Sequence, residues 1–271
     1  MIKSAVTIAL VPTIKTGPWI FWNDLEGSVA KAAALGFDAI ELFSASGDAI
    51  QSDTLKVLLE RFNLQLAAAG TGAGKVVHGL TLTDRDSSIR KKAVDFIKGM
   101  MEFAAHFGAP AIIGSMQGNI VQGYSHSDSL GLLTEALHIL DQHAAALGVK
   151  LIYEPLNRYE TNLMNTLEDG ASFIEKNKFK NIQLLADLFH MNIEEEDPEA
   201  SIRKNFPYIG HVHFADSNRR PVGFGHTPMN GIANALIELG YDGYVSAEAF
   251  PWPDQEHAAE QTIRSFNQFF K

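Results

Sequence analysis

Four side chains that can bind a divalent metal ion stand at comparable places in the second half of the sequence. Each of them, Glu154, Asp187, His213 or Glu248, lies at the end of a short apolar segment or directly after one. If these segments form neighbouring strands, the four side chains meet at one level. Three carboxylates brought together repel one another and raise each other's pKa, and a divalent ion removes that repulsion. The pattern therefore predicts a metal site made of these four residues.

The alternative is that the carboxylates pair with lysine or arginine instead of a metal ion. Only Arg158 and Arg219 lie near these positions in the sequence, which is too few to neutralise three converging carboxylates. Oxygen and imidazole ligands without a thiolate are typical of Mn²⁺, Co²⁺ or Mg²⁺ rather than of a structural zinc site. The predicted ion is Mn²⁺, with Co²⁺ and Mg²⁺ as alternatives that the ligand types do not separate.

Two of the carboxylates, Glu154 and Glu248, belong to segments three units apart and would approach a bound substrate from different sides. One carboxylate can then remove a proton from a carbon beside a carbonyl group while the other returns a proton. A metal ion that binds the carbonyl oxygen and a neighbouring hydroxyl stabilises the enediolate formed in between. The spacing indicates proton transfer on a carbonyl compound and leaves open whether the two carboxylates flank opposite faces.

A repeated strand-then-helix pattern positions these residues. Eight short apolar segments predict strands at 4–10, 37–43, 64–70, 109–114, 150–154, 181–186, 209–214 and 243–248, with helix-length segments between them. Connections of that length suit parallel pairing, so the predicted fold is α/β, a closed (β/α)₈ TIM barrel in a single domain, residues 1–271. An open doubly wound sheet is the alternative. Asn23, Asp86 and Ser125 are predicted to cap helices at their N-termini.

The composition fits one large barrel and excludes several classes of protein. The chain has 271 residues, close to the roughly 250 typical of such barrels. It has 22 Lys and Arg against 32 Asp and Glu, a net charge of −10 without a basic cluster, so no nucleic-acid partner is expected. It has no cysteine, which excludes disulfides and thiolate ligands. No apolar stretch reaches the roughly 18 residues of a membrane span, so no membrane partner and a cytoplasmic location are expected.

Three longer motifs contain the candidate ligands. They read EPLNRYETN from Glu154, ADLFHMNIEE from Ala186 and HVHFADSNR from His211. These motifs resemble those of the ketose 3-epimerases, the D-tagatose and D-allulose 3-epimerase group of the xylose isomerase-like barrel superfamily. The further motifs GTG from Gly70, LTLTD from Leu80 and GFGH from Gly223 are most similar to the 5-keto-L-gluconate epimerase branch.

This resemblance implies a carbohydrate epimerase, an isomerase that inverts C3 of a small keto-sugar through a metal-stabilised enediolate. Glu154 and Glu248 would be both metal ligands and the catalytic acid/base pair. Asp187 and His213 would complete the coordination of the metal ion. A homo-oligomer, a dimer or a tetramer, is also implied.

The resemblance assigns three further residues to substrate binding. Glu160, His190 and Arg219 would hydrogen-bond substrate hydroxyls around C1 to C3. Each has a structural alternative: a helix-capping or core position for His190, a surface position for Arg219, and an ion pair with Arg158 for Glu160. His211 is expected to point into the barrel and to support the site without binding the metal.

Two features bear on the identity of the sugar. The segment after the fourth predicted strand, 114–119, has no arginine that could bind a substrate carboxylate, so a neutral ketose is expected. Cations from other loops are the alternative partners of such a carboxylate: Lys15, Lys75 and Arg220. Trp19, Phe21 and Trp22 are predicted to form an apolar wall at the far end of the sugar, with plain packing as the alternative.

Three other functions compete with epimerisation. An aldose–ketose isomerase of the hydroxypyruvate isomerase type would use the same metal site. Phosphodiester hydrolysis of the endonuclease IV type would need a histidine-rich three-metal site, and this chain lacks ligands after the fourth strand and carries Arg219-Arg-Pro-Val where that type has Asp-x-His. A sugar-binding barrel without catalysis is disfavoured by the intact pair of glutamates.

Overall fold

The predicted closed barrel is confirmed. A computed structural model describes residues 1–271, and in it eight parallel strands pair in chain order while the first also pairs with the last. The strands are β1 (Lys3–Leu10), β2 (Ala39–Ser44), β3 (Gln65–Gly70), β4 (Ala111–Ile113), β5 (Leu151–Tyr153), β6 (Ile182–Asp187), β7 (Ile209–His213) and β8 (Tyr244–Ala247). A two-residue strand, Phe21–Trp22, adds to β1 outside the ring.

Eight helices follow the strands and surround the barrel. They are α1 (Leu25–Leu35), α2 (Ser52–Phe62), α3 (Ser87–Ala105), α4 (His126–Leu147), α5 (Leu167–Asn177), α6 (Pro198–Asn205), α7 (Met229–Glu238) and α8 (Gln255–Phe270). Two short helices, Ala73–Val76 and Leu188–Glu194, lie in the loops after β3 and β6. None of the ten helices combines the length and the apolar character that crossing a membrane requires.

The predicted helix caps are right in two of three cases. Asp86 accepts a hydrogen bond from the backbone of α3, and Ser125 forms a capping box with Asp128 at the start of α4. At α1 the prediction of Asn23 is wrong, because the side chain of Asp24 accepts from the Gly27 N–H. Asn23 itself has a φ of +58° in the turn before the helix.

Closure of the barrel joins the first and last strands along four residue pairs, from Lys3 opposite Tyr244 to Val6 opposite Ala247. The hydroxyl of Thr7 adds a link, since it donates to the Ala247 carbonyl oxygen at 2.7 Å. The sheet therefore has no free edge in the ring.

The inward faces of the strands change character along the barrel axis. Alternate residues of a strand share a face, so β1, β2 and β3 place Ala5, Ala39 and Ala67 together in one layer. A second apolar layer contains Ala68, Ile112, Ile152 and Leu185. Polar inward residues follow towards the carboxyl ends, where the strands lead into the long loops. The polar site therefore rests on packed apolar layers.

Candidate active site

The structure brings the four predicted metal ligands together at the carboxyl ends of β5 to β8. Glu154 directly follows β5, Asp187 and His213 are the last residues of β6 and β7, and Glu248 directly follows β8. One ligand atom of each lies within 4.8 Å of the others. His213 Nδ1 is 3.2 Å from Asp187 Oδ2 and 3.6 Å from both Glu154 Oε1 and Glu248 Oε2. We call these residues the four-residue cluster.

Asp187 has two different oxygens. Its Oδ1 accepts hydrogen bonds from the backbone N–H groups of Phe189, at 2.8 Å, and His190, at 3.1 Å, and so caps the short helix after β6. Its Oδ2 is left to face His213. Burial acts to raise the pKa of Asp187, but the nearby His190, His213 and Arg219 outweigh it and hold the pKa well below its ordinary value. The helix cap thus fixes the orientation of this carboxylate, with one oxygen directed at the cluster, and the neighbouring cationic groups favour its charged form.

Glu154 is held by its backbone and has an unpaired side-chain oxygen. Its carbonyl oxygen accepts from Gln117 Nε2 at 2.9 Å, and a Cβ at Gly114 would collide with its Oε2. Its Oε1 is buried without a hydrogen-bond donor. Burial raises the pKa of Glu154 to about 8. Buried polar atoms almost always have a hydrogen-bond or metal partner, so this oxygen is suited to bind a group that the protein chain itself does not supply.

Of the two cations that the sequence places near the cluster, only Arg219 reaches it. Its Nη2 forms an ion pair with Glu248 and lies 3.8 Å from Asp187 Oδ2, while its Nη1 is 3.5 Å from Glu160 Oε1. The other candidate, Arg158, instead pairs with Glu194 at 2.9 Å. One guanidinium thus faces several carboxylates, and a negative excess remains. Burial raises the pKa of Glu248, with Arg219 acting against that rise.

The loop that carries Arg219 is held by a buried aspartate. Asp216 Oδ1 accepts from the backbone N–H groups of Ser217 and Thr227 at 2.8 and 3.0 Å, and its Oδ2 accepts from Gly223 at 2.8 Å. The Arg219 N–H donates to the Asp216 carbonyl oxygen at 2.8 Å. Arg219 also has a φ of +57°, a conformation that few non-glycine residues adopt. The guanidinium therefore depends on this loop for its place.

His190 is buried beside the cluster as a neutral hydrogen-bond donor. Its Nδ1 accepts from the Asn157 backbone N–H at 3.3 Å and lies 2.7 Å from Asn157 Nδ2. The ring proton is then on Nε2, which lies 3.6 Å from Glu154 Oε1. Burial lowers the pKa of His190 to about 4, so the ring is uncharged near neutral pH. Arg219 Nη1, another donor, lies 3.4 Å from this Nε2, so a ligand oxygen placed between the two would accept from both.

Glu160 lies at the edge of the site and is partly exposed. It accepts from Asn157 Nδ2 at 3.0 Å and faces Arg219. The alternative of an ion pair with Arg158 is wrong, because Arg158 contacts Glu194. All three predicted substrate-binding residues, Glu160, His190 and Arg219, line the same cavity.

The cavity above the cluster has a volume of about 480 Å³ and one largely aromatic side. Trp19 stacks on Phe43 with ring centroids 4.1 Å apart. The predicted aromatic wall is right for Trp19 alone. Phe21 is buried in the core, and the indole N–H of Trp22 holds Trp19 from outside the cavity by donating to its carbonyl oxygen at 2.7 Å. Phe43, Phe189 and Phe250 were missed as wall residues.

No lysine lines the cavity, and Arg219 is the one arginine that does. Lys15 donates to the Pro12 carbonyl oxygen at 2.6 Å, and Arg220 lies over the Trp252 ring at 4.1 Å. The alternative cations named from the sequence therefore do not reach the cavity.

Glu41, on β2, is a buried site residue that the sequence argument missed. Its Oε1 lies 3.1 Å from His213 Nε2 and its Oε2 lies 2.8 Å from His211 Nε2. Burial acts to raise the pKa of Glu41, but the two histidines outweigh it and lower the pKa well below its ordinary value. His211 hydrogen-bonds Glu41 and packs edge-on against the His213 ring, with centroids 5.4 Å apart, without adding a ligand atom to the four-residue cluster. The single acidic residue in an apolar strand was the available signal.

The four-residue cluster fits a divalent ion. It offers three carboxylate oxygens and one imidazole nitrogen, a set that Mn²⁺, Co²⁺ and Mg²⁺ accept. A bound cation would give Glu154 Oε1 a partner, and it would neutralise the negative charge that remains around Arg219.

A family model described as xylose isomerase-like TIM barrel matches residues 29–269. The chain belongs to the xylose isomerase-like TIM barrel family. This xylose isomerase-like barrel is 31% identical over 236 residues to a D-psicose 3-epimerase of Ruminiclostridium cellulolyticum, an alignment covering 84% of this chain and 78% of the relative. It is 37% identical over 117 residues to a 3-dehydro-D-guloside 4-epimerase of Escherichia coli, covering 43% of this chain and 45% of the relative.

Among solved structures, an L-ribulose 3-epimerase superimposes on this xylose isomerase-like barrel with a TM-score of 0.83 at 25% identity, covering 99% of this chain and 94% of the other. The resemblance to ketose 3-epimerases predicted from the motifs is confirmed. A likeness at 17% identity to an AP endonuclease of Brucella melitensis, with a TM-score of 0.80, shows the shared fold alone.

Proposed function

We propose that this protein is a divalent-metal-dependent epimerase that inverts C3 of a keto-sugar. The observation that carries the proposal is the convergence of Glu154 and Glu248 on His213 Nδ1, each at 3.6 Å, from units three apart in the barrel. Removal and return of a proton on opposite faces of a carbon require two acid/base groups close together, and these two carboxylates can supply them. The relatives named as 3-epimerases of D-psicose and L-ribulose support the same reaction.

Glu154, Asp187, His213 and Glu248 would hold the ion, for which Mn²⁺ is proposed. Bound there, a divalent ion supplies Lewis-acid stabilisation of the charge that develops on the substrate's carbonyl oxygen. One of the two glutamates takes the proton from C3, which leaves an enediolate, and the other delivers a proton to the opposite face. In the metal-free protein burial raises the pKa of Glu154 to about 8; a bound cation favours the charged carboxylate, which can then accept the proton from the sugar.

The remaining polar residues of the cavity would orient the sugar. The neutral His190 donates through Nε2, Arg219 donates through its guanidinium, and Glu160 accepts at the edge of the site. Asn157 holds both His190 and Glu160 by hydrogen bonds of 2.7 and 3.0 Å, so these side chains keep one arrangement. Fixed donors and acceptors place the reacting carbon between the glutamates.

The substrate is proposed to be a neutral ketose. A sugar acid needs a cation for its carboxylate, but Arg219 is already paired with Glu248 and no lysine lines the cavity. The stack of Trp19 on Phe43 instead offers apolar contact to the carbon-bound face of a sugar. The homo-oligomer implied by the motifs remains a prediction, which light scattering of the purified protein tests.

Incubation of the metal-loaded protein with D-fructose, D-tagatose or L-ribulose in D₂O tests the proposal. The expected product of an accepted sugar is its C3 epimer, with deuterium at C3 seen by NMR. Aldose products without a C3 epimer would assign an aldose–ketose isomerase instead, and C4 epimers would assign the activity named for the Escherichia coli relative. Activity that is unchanged in EDTA would contradict metal dependence.

A further inference from the structure

Glu41 lies on the Nε2 side of the His213 ring, opposite the Nδ1 side that faces the other members of the cluster, and it also lines the cavity. The His213 ring stands between two sets of carboxylates: its Nδ1 faces the cluster and its Nε2 faces Glu41 Oε1 at 3.1 Å. Glu41 is 4% exposed and forms no contact with Glu154, Asp187 or Glu248 within ion-pair or hydrogen-bond distance. Its role is therefore separate from that of the ligands.

A neutral histidine carries its proton on one ring nitrogen, and only the other nitrogen has a lone pair for a metal ion. With the proton on Nε2, His213 donates to Glu41 and presents the Nδ1 lone pair to the cluster. With the proton on Nδ1, the Nε2 lone pair would face the Glu41 carboxylate, and Nδ1 could not bind an ion. We propose that Glu41 is a positioning residue that fixes the Nε2–H form of His213 and thereby raises the affinity of the cluster for its divalent ion.

His211 supports the same arrangement from the other oxygen of Glu41. Its Nε2 lies 2.8 Å from Glu41 Oε2, and both residues are buried. With one histidine on each oxygen, the carboxylate cannot rotate without losing both hydrogen bonds. The pair of hydrogen bonds explains why β7 carries two inward histidines although the cluster uses only His213.

Glu41, His211 and His213 also have ligand atoms close enough to hold an ion of their own. Two observations favour hydrogen bonding instead. The distances of 2.8 and 3.1 Å are those of N–H···O hydrogen bonds. An ion at this place would also remove the Nε2 proton of His213, leaving the ring to bridge two cations. The proposal therefore requires one ion for each chain.

The test is the affinity and stoichiometry of Mn²⁺ binding to the full-length Glu41→Gln variant, measured by competition with a chelator. Glutamine keeps the shape but offers one oxygen and places an N–H₂ group against one of the two histidines. The expected result is one ion for each chain, bound about 10- to 100-fold more weakly than by the wild type. Glu195→Gln is the matched control, because Glu195 accepts from the Leu167 N–H at 2.8 Å outside the cavity; its affinity should match that of the wild type.

A measurement on the wild type keeps the proposal testable if Glu41→Gln does not fold. In ¹⁵N-histidine-labelled protein loaded with Mg²⁺, the Nε2 of His213 should carry the proton, with its signal assigned through a His213→Asn variant. A proton on Nδ1, two ions for each chain, or unchanged affinity in a folded Glu41→Gln variant would each overturn the proposal.

The inference rests on the proposed function only in requiring an ion at the four-residue cluster. A wild-type protein that binds no divalent ion would remove the proposed function itself. If the wild type and Glu41→Gln bind one ion with equal affinity, the proposed role of Glu41 is excluded and the proposed function is unaffected.

Discussion

Arg219 forms an ion pair with Glu248, and this contact divides the cluster into two unlike halves. On the Glu248 side a guanidinium offsets part of the carboxylate charge. On the opposite side, Glu154 Oε1 is buried without a donor. Glu154 is therefore the carboxylate whose charge the protein compensates least, so it retains a proton up to about pH 8 unless a bound cation replaces that proton. The two glutamates are alike in type and differ in surroundings, as expected for an acid/base pair with separate tasks.

Replacing either glutamate by glutamine should abolish turnover. Glu154→Gln and Glu248→Gln each remove a group that accepts a proton while keeping its size, so kcat should fall by about 10²-fold or more. The measurement is kcat on the accepted ketose, with the melting temperature recorded to show that the variant is folded. Glu195→Gln, whose carboxylate lies outside the cavity, should keep full activity. Full activity of a folded Glu154→Gln or Glu248→Gln would exclude that residue from proton transfer.

The metal-free protein should lose stability as the pH rises from about 6.5 to about 8. The pKa of Glu154 is raised from 4.5 to about 8, so the folded state retains a proton that the unfolded state has lost. Its stabilising effect is complete below the ordinary pKa and disappears as the pH approaches the folded one. His213, with its pKa also raised, acts in the same direction above 6.5. His190, whose pKa is lowered to about 4, acts in the opposite direction and mainly below 6.5.

For Glu154 alone, the free energy of unfolding should decrease by about 1.5 kcal/mol over this interval. Melting temperatures in EDTA at both pH values measure the effect, which corresponds to about 3–6 °C. Binding of Mn²⁺ displaces protons from the cluster, so the stabilisation it gives should increase with pH. A metal-free protein whose melting temperature is constant or rises between these pH values would contradict the assignment.

A methyl group at position 114 should displace the catalytic carboxylate. Gly114→Ala places a Cβ against Glu154 Oε2, so the affinity for Mn²⁺ and kcat should both decrease, kcat by about 10-fold or more because misplacement near 1 Å is costly. Isothermal titration and steady-state kinetics measure the two effects. Gly131→Ala, in α4, is the control, since nothing lies within 4 Å of a Cβ there. Wild-type kinetics in Gly114→Ala would show that the glycine makes no room for Glu154.

The loop that carries Arg219 should control the affinity for the sugar. Asp216→Asn replaces one of two oxygens that accept backbone N–H groups by an NH₂ group, which cannot accept. The loop therefore loosens and KM should increase by about 5- to 10-fold, the equivalent of about 1 kcal/mol. Steady-state kinetics and melting temperature measure the change. Asp197→Asn, at the N-cap of α6, is the matched control and should affect stability alone. A lower melting temperature with unchanged KM would make Asp216 a purely structural residue.

The positions of the four ligand candidates could be predicted because the strand-then-helix repeat fixes where each strand ends. Glu154, Asp187, His213 and Glu248 each occupy that place, so the pattern alone puts them at one level. Local rules also succeed where the interaction is local, as in the capping box of Ser125. Asn23 shows the limit of these local rules. Its φ is positive, and a shift of one residue decides whether Asn23 or Asp24 caps the helix.

Contacts between residues on distant strands could not be predicted from the sequence. Glu41 is 172 residues from His213; as the single acidic residue of an apolar strand it could be predicted to be buried, but not which side chains it contacts. The sequence indicates that Arg219 lies near the ligands. Its contact with Glu248, however, depends on a backbone φ of +57° and on the loop that Asp216 holds in place. The sequence predicts that Phe21 forms a wall with Trp19 and Trp22, but its side chain is buried in the core while that of Trp22 is only partly buried. These are properties of tertiary packing.

The pairing of β1 with β8 has a consequence for biosynthesis. Glu248 follows the last strand of the barrel to be synthesised, and that strand closes the ring between β7 and the first strand made. A nascent chain that ends before residue 244 lacks a ligand and exposes two open sheet edges, which are prone to intermolecular association. Assembly of the cluster therefore has to wait for synthesis of the last strand of the barrel and of Glu248 after it.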